Sequence, residues 1–204
     1  MDLGDIGLGT HIKAAAMAFV VFFIGVGLAW AVWPEWNPLE RTLSQLGEWY
    51  RTQTSPIFFN SGCIFAGLLT MFGGLGKYIH EEGLSRISGI FFMLGGLSLM
   101  FVGIICGDNN PAHDATAIIM FSNMGLATLL ATIADWKNGY LFVPISGAVI
   151  LVALLIQWAI IPNTEALSEC MPITGMFLWT MVQVYKYHKI GVVQFSWEKK
   201  TSEN

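Results

Sequence analysis

His113 stands in the run Gly107-Asp108-Asn109-Asn110-Pro111-Ala112-His113-Asp114. An imidazole beside carboxylates gains proton affinity and can act as a general base, with Asp108 or Asp114 orienting it. The same run also reads as a solvated turn whose Asp114 or Asn110 caps the next helix. Upstream, Arg41 and Ser44 share the segment Asn37-Pro38-Leu39-Glu40-Arg41-Thr42-Leu43-Ser44. A guanidinium clamps phosphate or carboxylate through paired N–H groups. A serine hydroxyl near a base is a nucleophile or simply a hydrogen-bond donor. His113, Asp108, Asp114 and Ser44 are therefore the catalytic candidates, and acyl or phosphoryl transfer is the chemistry that suits them. Arg41, Asn37, Asn60 and Asn123 are the candidates for holding a ligand.

One histidine with two acids is a poor zinc set, so no metal site is expected. His11, His80 and His188 sit at helix ends or in a turn rather than paired mid-helix, which disfavours haem. No phosphate-binding glycine loop, dinucleotide fingerprint, nucleophile elbow or zinc-protease motif is present, and no cofactor is expected. Cys63, Cys106 and Cys170 are expected toward one end of the molecule. A Cys106–Cys170 bridge is conceivable there, with buried free thiols as the default.

The elements that must carry these residues follow from where charge is absent. Apolar residues make up 54% of the 204 residues and charged ones 12%, about half the share of an ordinary soluble domain. The mean hydropathy is +0.59. Disorder, collagen and coiled coil are excluded, and a net charge of −4 with no basic stripe argues against nucleic acid. Charge-free runs span 14–34, 52–76, 87–107, 115–134, 138–164 and 170–185. All but the last reach the ~20 residues that cross a bilayer core as a helix. Lys186 and Lys189 could snorkel to extend the last. The fold class is thus all-α: a single six-helix transmembrane domain with helices at about 12–33, 57–77, 85–107, 114–135, 139–161 and 171–189, and a tail over 190–204. A barrel would need alternating ~10-residue segments, which these continuous runs lack.

Placing both termini on one side puts Lys13, Lys77, Arg86, Lys137, Lys186, Lys189, Lys199 and Lys200 there, against Arg41 and Arg51 opposite. That asymmetry predicts a multi-pass protein of the cell membrane with cytoplasmic termini. The first run is too long and its flank too acidic for a cleaved signal peptide. Small-residue pairs at four-residue spacing, Gly62/Ala66, Gly103/Gly107 and Ala127/Ala131, predict close helix packing. In the first outer loop, Asn37 as N-cap, Pro38 at N1 and Glu40 at N3 predict a short amphipathic helix over 37–48, with Leu39, Leu43, Leu46 and Tyr50 on its apolar face. Two polar stripes, Asn60-Cys63-Gly67-Thr70-Gly74 and His113-Thr116-Met120-Asn123-Ala127, predict either interhelical hydrogen bonds or an outward-opening polar cleft between the second and fourth helices.

The string Asn37-Pro38-x-x-Arg41-Thr42-Leu43-Ser44-x-Leu46-Gly47, then Pro56-Ile57-Phe58-Phe59-Asn60-x-Gly62, Gly103, the Asp/Asn/Pro turn, His113, Ala117 and Phe121, resembles domain of unknown function family 998. These are prokaryotic six-helix membrane proteins. More distantly the chain is similar to the damage-regulated autophagy modulator and GPI-lipid-remodelling membrane families, which share six helices and a Ser-x-x-Gly element in the first outer loop. The resemblance implies the fold and an outer-loop site, and the distant relatives imply involvement with lipids.

The expected function is binding or remodelling of a membrane lipid at the outer leaflet, with enzymatic activity left open. The alternative is a non-catalytic scaffold or accessory subunit with a membrane-protein partner. A small-molecule transporter ranks third, because none of the six runs holds a charged residue.

Overall fold

The computed structural model describes residues 7–105, 107, 111–140, 143, 145–152 and 165–190. The described residues hold five long helices: α1 (Leu8–Ala31), α2 (Ser55–His80), α3 (Gly83–Ile104), α4 (Pro111–Lys137) and α5 (Glu165–Ile190). Between α1 and α2 lies one 3-10 turn, Ser44–Gly47. Residues 145–152 are also helical. No strand occurs among the described residues. The first four helices are each long and apolar enough to cross a membrane. Of the expected 139–161 helix, most of the second half lies outside the described residues, as do Cys106 and Asp108. Cys63 and Cys170 are in the thiol form, with Cys63 buried.

Helix α5 begins at Glu165, ahead of the expected 171, and continues through Glu169 and Pro172. A charge marked the boundary in the sequence, yet the Glu169 carboxylate has a structural use. Its Oε2 accepts the Leu43 backbone N–H at 2.8 Å.

The helices pack in the order α4, α3, α2, α1, α5, and α5 also touches α4 to close the ring. The α2–α3 contact is a zip of small residues at seven-residue spacing. A Cβ on Gly67 would lie 2.5 Å from the Gly96 carbonyl oxygen, and one on Gly74 2.7 Å from that of Gly89. Two turns further, a Cβ on Gly103 would meet the Asn60 carbonyl at 2.7 Å. Without side chains the backbones touch, and in lipid such contact supplies the packing that hydrophobic burial cannot. Of the polar stripe on α2, Gly67 and Gly74 face α3, while the Asn60 side chain turns to the Gly47 carbonyl of the first loop. Of two buried clusters among the described residues, the smaller joins Trp179 of α5 to Ala15, Phe92, Met124, Ala127 and Ala131, and the larger gathers residues such as Phe22, Phe59, Val102 and Met120.

The amphipathic helix expected over 37–48 is not formed. Turns occupy 38–40 and the 3-10 turn follows. Trp36, Leu43 and Leu46 insert among Phe59, Cys63, Val102 and Met120, while Leu39 and Tyr50 point out at 65% and 72% exposure. A continuous helix would put Leu39 and Leu43 on one face. The chain instead satisfies its backbone through distant partners: Leu43 N–H to Glu169, the Arg41 carbonyl from Ala166 N–H at 2.9 Å, and the Leu46 carbonyl from the Ser55 hydroxyl at 2.7 Å. The segment is a plug in the end of the bundle.

Candidate functional site

The plug gathers several of the residues singled out from the sequence and occupies their polar atoms. Asn37 Oδ1 accepts the Leu39 N–H at 3.1 Å, and its carbonyl accepts Glu40 and Arg41. Ser44 is buried, its hydroxyl 2.9 Å from that of Thr42. Asn60 is buried beneath, its amide donating to the Gly47 carbonyl at 3.2 Å. His113 is buried at the start of α4, with Nδ1 2.7 Å from the Ile105 carbonyl, so the ring donates there and ties α4 to the end of α3. Asp114 is exposed in the first turn, where it complements the helix dipole. Asn123 donates to the Ile119 carbonyl of its own helix at 2.8 Å, and Thr116 does the same to Ala112 at 2.6 Å. Arg41 differs: its guanidinium lies 5.2 Å from the Trp33 ring, half-exposed, and meets no carboxylate among the described residues.

A second polar cluster lies at the opposite end of the bundle. Lys77, in the last turn of α2, donates to Glu81 at 2.7 Å, Tyr187 at 2.9 Å and Ser85 at 3.3 Å. Lys186 of α5 donates to Asp135 of α4 at 2.5 Å and stands 3.8 Å from Glu81. Tyr187 and Ser85 donate their hydroxyls to the two oxygens of Glu81, and Gln183 donates to the other oxygen of Asp135 at 3.2 Å. The Lys186 ammonium also lies 4.5 Å from the Tyr187 ring centre and 5.7 Å from that of Tyr140. Lys77 and Asp135 are 1% and 0% exposed, so these are buried ion pairs. Burial alone would push the Glu81 carboxyl up, but the Lys77 and Lys186 ammoniums and the hydrogen bonds from Lys77 and Ser85 outweigh it and hold Glu81 below the usual carboxylate range.

Glu81, Ser85, Lys186 and Tyr187 of this network line a cavity of about 890 Å³ at the end of the bundle, together with residues such as His80, Glu82, Lys137 and Asn138. A void of that size falls within the roughly 300–1,000 Å³ of ligand sites. A smaller space in the core, about 30 Å³ and walled by side chains such as Phe22, Leu99 and Met120, is apolar. Among the described residues no cluster of three metal-binding side chains occurs.

Residues 16–195 match the family described as Protein of unknown function (DUF998). The chain belongs to that family. No curated protein and no solved structure matches it.

The inner network was missed from the sequence because its charges served only as boundary markers. Lys186, which by its position could snorkel, turns inward, because Asp135 and Glu81 offer it a paired site where water would otherwise be lost. The available signals were the four-residue spacing of Lys77 and Glu81 and the Tyr-Lys-Tyr run 185–187. The pairing of α4 with α5 across the bundle has no local signature.

Proposed function

We propose that this protein is a six-span integral protein of the cell membrane that binds a membrane lipid by its headgroup, in the cavity at the Lys77–Glu81–Asp135–Lys186 end. Helices α1–α4, α5 and the segment around 145–152 would supply the spans. Lys13, Lys77, Arg86, Lys137 and Lys186 all stand at the helix ends on the cavity side, which supports cytoplasmic termini and an inner-leaflet site. The observation that carries the reading is a cavity of ligand size with a polar, charge-bearing lining, at the depth where helices end and headgroups begin.

The outer-leaflet site is a second reading, favoured by the half-exposed Arg41 guanidinium 5.2 Å from the Trp33 ring centre, in a segment that also exposes Trp49 and Tyr50. There Arg41 would meet a lipid phosphate directly, without the cleft formed by Ser44, Asn60 and His113.

Native mass spectrometry of gently purified protein separates these readings. The inner site predicts a retained lipid that survives Arg41→Ala and is lost in Asn138→Trp, which fills the cavity from an exposed turn. Loss in Arg41→Ala alone would place the lipid outside. A wild-type protein free of lipid would favour the scaffold reading.

A further inference from the structure

The cavity's charges narrow the chemistry of its occupant, given the inner-cavity reading above. Four of its lining residues carry formal charge: Glu81, Glu82, Lys137 and Lys186. Their sum is zero with His80 neutral. The deep pair is already satisfied, since Glu81 is held by Lys77, Ser85 and Tyr187, and Lys186 by Asp135. The rim pair is not. Lys137 ends α4, and Glu82 lies in the two-residue link between α2 and α3. Both are exposed, and neither makes an ion pair among the described residues. Glu82 precedes α3 as its N-cap but makes no side-chain capping bond, so its carboxylate is not spent on the helix.

With the deep pair spent, a purely anionic headgroup would gain Lys137 and face Glu82, and a purely cationic one would gain Glu82 and face Lys137. Only a ligand bearing both signs meets a complementary group on each wall and leaves no charge facing its like. The Lys137 ammonium is a point donor for a phosphate oxygen. The Glu82 carboxylate accepts from an alkylammonium. We infer that the cavity binds a zwitterionic phosphate–ammonium group, of the phosphoethanolamine kind, with the phosphate toward Lys137 and the ammonium toward Glu82. The same chemistry is carried by a lipid headgroup and by the free phosphoester.

Thermal unfolding of the detergent-purified protein, titrated with phosphatidylethanolamine, phosphatidylglycerol or soluble phosphoethanolamine, tests this. Wild type should reach half-saturation with phosphatidylethanolamine at about tenfold lower concentration than with phosphatidylglycerol, the worth of one charge-assisted contact. Glu82→Lys should abolish or invert that preference. The double exchange Glu82→Lys with Lys137→Glu should restore it, because both signs return with their places swapped. Both residues are exposed, so the variants keep the fold. A phosphatidylglycerol preference in wild type, or a preference untouched by Glu82→Lys while Asn138→Trp still removes all lipid stabilisation, would overturn the zwitterionic assignment and leave the cavity standing. Lipid stabilisation unchanged in Asn138→Trp would overturn the cavity itself. A shift with soluble phosphoethanolamine equal to that with the lipid upholds the assignment with the free phosphoester as ligand. A shift with the lipid alone upholds it with the headgroup as ligand.

Discussion

Asp135 is fully buried and its two oxygens receive Lys186 and Gln183. Removing one partner of a buried ion pair leaves the other charge uncompensated, at a cost of about 3–5 kcal/mol, while replacing both with apolar groups of similar volume is near neutral. Asp135→Ala should therefore lower the unfolding temperature sharply, and the double variant Asp135→Leu with Lys186→Met should recover most of the loss. Equal destabilisation by the single and double variants would show that the pair does not act as a unit. Glu81 gives this network a pH dependence. Its folded carboxyl is held below the usual range, so its contribution is present above that range and is lost as pH falls through it and beneath. The unfolding temperature should drop on acidification from neutral pH, and Glu81→Gln should flatten that drop. At the outer end, Leu46 is 0% exposed beneath the plug. Leu46→Ala should cost about 2–5 kcal/mol, read as loss of unfolding free energy, although the residue belongs to a loop.

At the scale of elements, the charge-free runs located α1–α4 to within a few residues, because an uninterrupted apolar run in a bilayer has no alternative to helix. They misjudged α5, where a charge inside the helix was read as its boundary. They also misjudged the plug. Its Asn-Pro-x-Glu start is a sound local signal, but Glu169 and Ala166 from α5 compete for its backbone groups, and that competition is tertiary. The α2–α3 zip was half legible: small residues were recognised, but at a spacing of four, whereas the contacts recur every seven at Gly67 and Gly74. Gly74→Val should separate α2 from α3 and cost about 1–3 kcal/mol or prevent folding. Gly125→Ala is its control, since a Cβ there meets nothing within 4 Å and should leave thermal stability unchanged or slightly raised.

For the whole molecule, the bundle has two unlike ends. One is closed by Trp36, Leu43 and Leu46, and the residues that looked reactive in the sequence hold that closure through their own hydrogen bonds. The other is open and polar, its helices tied together by the ion pairs of Lys186 with Asp135 and Glu81. Residues such as Asn60 and His113 were legible as polar positions in an apolar chain, but whether a polar side chain faces a ligand or a neighbouring carbonyl depends on contacts that no spacing encodes. The proposed orientation sets the closed end outside. In a protein whose own cysteines are replaced, Thr52→Cys should label from outside intact cells and Asn138→Cys only after permeabilisation, and the reverse pattern would invert the topology. Where the lipid sits is read most directly by photocrosslinking: a phosphatidylethanolamine with a diazirine on its headgroup is irradiated with the protein in bilayers, and adducts are mapped by peptide mass spectrometry. Headgroup binding in the cavity predicts adducts concentrated on residues 80–85 and 137–140. Adducts concentrated on residues 33–50, or absent from 80–85 and 137–140, would contradict it.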